Sequence, residues 1–235
     1  MKRAPVYGLD IETDTTIDGL DPTVSRIVAI ALSTELVDEF FEGPEDEVLW
    51  ALDNRLRSLE PGVIATWNGG AFDLPFIADR GALWGLPLGL QIEADPRIRH
   101  RHAPLPGPDY CCRAAWHHHS HLDAYRVYRD DVGPALRISC SLKSIARFVG
   151  LAPLEVDRER IHDLSHEALH AYAASDARLA RILAERRWST ASRRIDSLRG
   201  TGSAPATPTH MPLPTHAPVE GWSAPPSPPP LSAAG

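Results

Sequence analysis

The run Val6-Tyr7-Gly8-Leu9-Asp10-Ile11-Glu12-Thr13 constrains this chain more than any other stretch. Its apolar residues, followed by turn-forming residues from Asp14 to Asp21, predict a buried strand. Side chains alternate along a strand, so Asp10 and Glu12 share one face while Leu9 and Ile11 pack on the other. Two carboxylates side by side in an apolar element repel each other and lose hydration. A bound divalent cation relieves both costs. One such pair means little by itself, so the reading gains weight only where further acids converge on it.

Composition sets the frame. A chain of 235 residues with 43% hydrophobic side chains can bury a substantial core. No apolar run approaches the ~20 residues of a membrane span. The first strand begins at once after Met1-Lys2-Arg3-Ala4-Pro5, so no secretory leader is expected. Three cysteines, with Cys111 and Cys112 adjacent, make a poor disulfide framework, and a cytoplasmic protein is expected. The net charge of −7 is unevenly spread. Residues 1–93 carry 6 basic and 17 acidic side chains, whereas residues 94–150 carry 9 basic and 5 acidic. The middle segment is a candidate electrostatic footprint within an acidic protein.

Arg26–Ser33 reads as a second strand buried on both faces, and Leu36–Phe41 as a third that closes a meander before Gly43-Pro44. Pro44-Glu45-Asp46-Glu47 opens a helix with acids where the dipole favours them. Val63–Trp67 returns as a strand, ending at Asn68-Gly69-Gly70. Residues 93–119 are rich in Arg, His and Pro without a clear period, and predict a long loop. His119–Ala124 predicts a short strand, a helix follows from Ser141 to the Gly150 stop, and a last long helix starts after the N-cap Ser165. This order implies an α/β fold with a mixed central sheet flanked by helices. The final 35 residues hold 10 of the 22 prolines and one charge, Glu220, so residues 196–235 are expected to form a disordered Pro-rich tail behind a domain of residues 1–195. Val219-Glu220-Gly221-Trp222 is a candidate docking peptide for a protein partner.

Further acids stand at informative places. On a helical wheel at ~100° per residue, Leu169, Tyr172, Ala173, Asp176, Leu179, Ala180 and Leu183 share one stripe, with Arg178, Arg181 and Glu185 opposite. Asp176 therefore lies on the face that meets the sheet, where an acid needs a partner, and Tyr172 sits one turn earlier. Asp73 follows the Asn68–Phe72 turn and precedes Leu74-Pro75, either capping the next helix or standing at a cleft mouth.

Four acids and a tyrosine, in this order and on these elements, resemble the DEDD group of 3′–5′ exonucleases with a ribonuclease-H-like fold. The motifs that carry the resemblance are Leu9-Asp10-Ile11-Glu12-Thr13, then Asn68-Gly69-Gly70-Ala71-Phe72-Asp73-Leu74-Pro75, then Tyr172-Ala173-Ala174-Ser175-Asp176. The second is similar to the motif of family B polymerase proofreading domains, and the third to the tyrosine subtype. The resemblance spans residues 5 to about 190 and implies a stand-alone exonuclease that acts on the 3′ ends of single-stranded nucleic acid, with DNA favoured.

The resemblance further implies two Mg²⁺ or Mn²⁺ ions held by Asp10, Glu12, Asp73 and Asp176, with Asp10 as bridge and Tyr172 orienting the attacking water. Backbone amides near Thr13 and the Asn68 loop would bind the terminal nucleotide, with Phe72 beside them. Arg97, Arg99, Arg101 and Arg113 are expected to grip the backbone. Asp123 is read as structural. The alternative is a catalytically inactive nucleic-acid-binding or scaffold module on the same fold. His117, His118, His119 and His121 with Cys111 and Cys112 lack the spacing of a zinc site, and none is expected there.

Overall fold

The computed structural model describes residues 3–95 and 111–196. The expected tail and its docking peptide, and Arg97, Arg99 and Arg101, lie outside them.

Among the described residues, seven strands form one mixed sheet in the order β3-β2-β1-β4-β7-β6-β5. The strands are β1 (Val6–Thr13), β2 (Ile27–Ser33), β3 (Asp38–Glu42), β4 (Val63–Thr66), β5 (Leu90–Ala94), β6 (Cys112–Trp116) and β7 (His119–Asp123). β1, β4 and β7 run parallel at the centre, and antiparallel neighbours lie on either side. The helices are α1 (Glu45–Ser58), α2 (Asp73–Leu83), α3 (Ala124–Asp131), the one-turn α4 (Gly133–Leu136), α5 (Leu142–Phe148), α6 (His166–Arg186) and α7 (Trp188–Ala191). The mixed sheet with helices agrees with the expected architecture.

One expectation fails. Residues 93–119 are not a continuous loop, because β6 pairs with β5 in register from Leu90↔Trp116 to Ala94↔Cys112. The alternation that makes it a strand is present: Cys112, Ala114 and Trp116 point inward while Arg113 and Ala115 are half-buried. Five residues between polar, Pro-rich flanks give too short a period to stand out.

The two faces of the sheet are packed differently. Leu9 and Ile11 face a core built with α1 and α2, which includes Leu49, Leu52, Phe76 and Ile77. On the other face α6 lies directly over β1. A Cβ at Gly8 would overlap the carbonyl oxygen of Ala177, so only glycine lets the helix approach this closely. Ala31, Ala173 and Ala177 continue the same thin contact. Small side chains here bring the backbone of α6 within reach of the acids on β1.

Three consecutive histidines terminate α1. His118 and His119 meet the carbonyls of Leu59 and Leu56 through Nε2, each at 2.7 Å, and His117 Nε2 lies 3.2 Å from the carbonyl of Asp53. His118 and His119 thus satisfy carbonyls at the end of the helix, where intrahelical partners run out.

Candidate active site

β4 and β7 end in step at Thr66 and Asp123, and β1 extends beyond them. β1 is in register with β4 only from Val6 to Gly8, so its later residues run past the end of β4. The chain after Thr66 turns there: Asn68 takes φ 70°, and the turn carries it into α2. Asp73 does not cap α2 with its side chain. Its Oδ1 accepts the Ile11 N–H at 3.3 Å, between the two acids of β1. This fixes Asp73 against the strand. The site lies beyond the carboxyl ends of parallel strands, where open α/β sheets form their crevices.

A cleft of about 900 Å³ opens there. Asp10, Glu12, Asp73, Asp176 and Tyr172 all line it, together with Thr13, Asn68 and Phe72. Gly8, Asp10 and Glu12 alternate onto the α6 side of β1, and Asp176 directly precedes the Ala177 that touches Gly8. Glu12, Asp73, Tyr172 and Asp176 are buried, whereas Asp10 is half-buried and Asn68 exposed. Burial first, then the neighbouring Asp10 charge, pushes the Asp73 carboxyl well above the usual carboxylate range.

Sequence patterns alone missed a lysine. Lys143 of α5 is buried, its ammonium donates to Asp176 Oδ1, and Nζ lies 4.5 Å from the Tyr172 ring centroid. A buried lysine needs a charge partner, and an acid cluster supplies one. The only signal was scarcity: this and Lys2 are the chain's two lysines. Among the described residues, no three His, Cys, Asp or Glu side chains are gathered as a metal centre requires. The donor chemistry, four carboxylates with one held uncomfortably beside another, nevertheless suits a hard divalent cation.

Asp123 acts as structural support. Its Oδ1 accepts the N–H groups of Asn68 at 2.9 Å and Tyr125 at 3.1 Å, while Arg126 Nε lies 3.2 Å from Oδ2. It thus caps α3 and anchors the turn that presents Asn68, Phe72 and Asp73. Thr13 donates its hydroxyl to the Gly19 carbonyl at 2.6 Å, holding the loop after β1. Arg113 pairs with Glu93 across β5 and β6. Burial drives the Cys112 thiol up to about 12, which leaves it unreactive.

The chain belongs to the RNase_H superfamily, whose family model matches residues 8–162. Over 155 residues it is 32% identical to the DNA polymerase epsilon catalytic chain of Schizosaccharomyces pombe. Over 143 residues it is 32% identical to the protein of the same name from Saccharomyces cerevisiae. Each match covers 59% of this chain and 6% of the relative, so the chain spans a small fraction of these proteins. Among solved structures, it is similar to the family B DNA polymerase of the hyperthermophilic archaeon Pyrobaculum calidifontis. That match has a TM-score of 0.64 at 19% identity, covering 79% of this chain and 24% of the other. At that identity the likeness is one of fold. These relatives agree with the resemblance carried by the three motifs.

Proposed function

We propose that this chain is a metal-dependent 3′–5′ exonuclease that removes nucleoside monophosphates from the 3′ end of single-stranded nucleic acid. The observation that carries this reading is the meeting of Asp10, Glu12, Asp73, Asp176 and Tyr172 in one cleft. The relatives are DNA polymerase chains, which favours DNA as substrate.

In this reading Asp10, Glu12, Asp73 and Asp176 would hold two Mg²⁺ or Mn²⁺ ions, with Asp10 and Asp176 as the chief ligands. When bound, such ions activate water and stabilise the attacking and leaving oxygens of an in-line displacement. Tyr172 orients the attacking water through its hydroxyl, which is positioning and not proton removal. Lys143 holds Asp176 through its ammonium, and that charge would offset charge on a substrate phosphate. Asn68, Phe72 and the backbone near Thr13 seat the terminal nucleotide. Arg99 and Arg101 would grip the strand further out.

Residues 1–195 would form the catalytic domain, with residues 196–235 as a tail able to recruit a protein partner. No helix among the described residues is long and apolar enough to cross a membrane, and Cys111, Cys112 and Cys140 are free thiols. The sparse, unbridged cysteines fit a reducing compartment, and the cytoplasm is the location proposed.

A second reading, an inactive nucleic-acid-binding or scaffold module, draws on one observation: the Lys143 ammonium occupies Asp176. Product analysis separates the two. Incubation of unlabelled single strands with Mg²⁺ or Mn²⁺ should yield mononucleotides and stop on chelation. Strand binding without any mononucleotide release, in either metal, would favour the inactive module.

A further inference from the structure

We propose that Trp67 and Tyr125 form a stacking platform for an unpaired base of the strand that enters the acidic cleft, with Arg129 as the adjoining cation. The inference rests on the exonuclease reading and adds a subsite to it.

Both rings line the cleft that holds Asp10 and Asp73, and both are half-buried. Trp67 stands between Thr66, the last residue of β4, and Asn68, so it leads directly into the acid-bearing turn. Its indole N–H donates to the Cys140 carbonyl at 3.2 Å. Its ring lies 5.5 Å from Tyr128 and meets Tyr125 edge-on at 6.2 Å. The polar edge of the indole is therefore satisfied and its orientation fixed, which spares a ligand the cost of ordering it. Tyr125 is anchored by the Asp123 carboxylate through its backbone N–H. The Arg129 guanidinium lies 5.7 Å from its ring centroid. The neighbouring acids of α3, Asp130 and Asp131, are engaged by Arg194 and Arg187.

The chemistry of these faces selects the ligand. Fixed aromatic faces accept the π-face of any base, so the subsite should tolerate all sequences. A cation over one ring adds cation–π character and attracts the phosphate backbone. A duplex keeps its base faces stacked internally, so the platform suits an unpaired strand. Asp123 joins the two halves: one carboxylate holds both the backbone of Asn68 beside Trp67 and that of Tyr125.

The test measures binding of a 5′-labelled oligothymidine to the full chain in EDTA, where no hydrolysis occurs. Tyr125→Leu, which keeps apolar bulk, should weaken binding about tenfold, and Tyr125→Phe should bind as the unaltered chain does. Single abasic sites are then walked inward from the 3′ end. At one position the abasic strand should lower affinity for the unaltered chain and remove the difference from Tyr125→Leu. Trp67→Phe, which keeps a smaller aromatic face but gives up the hydrogen bond to the Cys140 carbonyl, should lose affinity selectively at that position or its neighbour. Equal binding by Tyr125→Leu and the unaltered chain, or an identical loss with every abasic strand, would overturn the platform while leaving the exonuclease reading intact. A chain that neither binds strands nor releases mononucleotides would overturn both.

Discussion

Gly8 of β1 and Ala177 of α6 stand backbone to backbone, with no room for a side chain between strand and helix. This contact sets the depth at which α6 rides on the sheet, and Asp176 is the residue beside it. Gly8→Ala should therefore cost about 3 kcal/mol of stability, the upper end for overpacking, because the obstruction is backbone and cannot rotate away. Urea unfolding of the variant would measure it. Strand hydrolysis at temperatures where the variant stays folded should also fall, since α6 must lift and carry Asp176 with it. Unchanged stability and activity would mean that the helix is not seated by this contact.

Lys143 and divalent ions should compete for Asp176. Lys143→Met removes the ammonium and leaves a buried acid without that partner, which should lower metal-free stability by about 3 kcal/mol. The same change should tighten Mn²⁺ binding by the strand-free protein, as followed by calorimetry, and Mn²⁺ should restore much of the lost stability. Equal Mn²⁺ affinities for the variant and the unaltered chain would show that the lysine does not guard the acid.

His119 predicts a pH response remote from the cleft. Gly62 N–H donates to its Nδ1 at 3.2 Å, so its Nε2 carries the proton shared with the Leu56 carbonyl at 2.7 Å. Burial lowers its pKa from the ordinary value. The unfolded chain then takes up a proton that the folded chain resists. The contribution of this histidine is fully present above about pH 6.5 and lost as pH falls through the lower folded value. Unfolding free energy should decline across that window, and the decline should be shallower in His119→Asn. Parallel curves for the two proteins would refute the assignment.

Local signals made much of this molecule readable before its structure. The alternation in Val6–Thr13 exposed the Asp10/Glu12 face, the 3.6-residue period placed Asp176 inward, and Ser141 and Ser165 marked helix starts that the structure places there. What escaped depends on distant partners. Arg181 reads as solvent-facing on a wheel, yet its Nε donates to Ser33 of β2 at 3.1 Å, because α6 lies flat on small residues and nearly all of its middle is buried. Lys143 and Asp176 are far apart in sequence, as are Tyr125 and Trp67, and no periodicity reports such meetings. Asp73 reads from local sequence both as a helix cap and as a cleft residue, because the choice turns on β1 outrunning β4, a fact of register.

The most direct trial of the central claim is the digestion of a 5′-labelled single strand with Mn²⁺ by the unaltered chain, Asp10→Asn and Asp176→Asn. For the unaltered chain, the expected result is a ladder that shortens one nucleotide at a time from the 3′ end. Neither variant should shorten the strand, and both should remain folded by thermal unfolding. Undiminished digestion by either variant, or cleavage that begins inside the strand, would contradict the site.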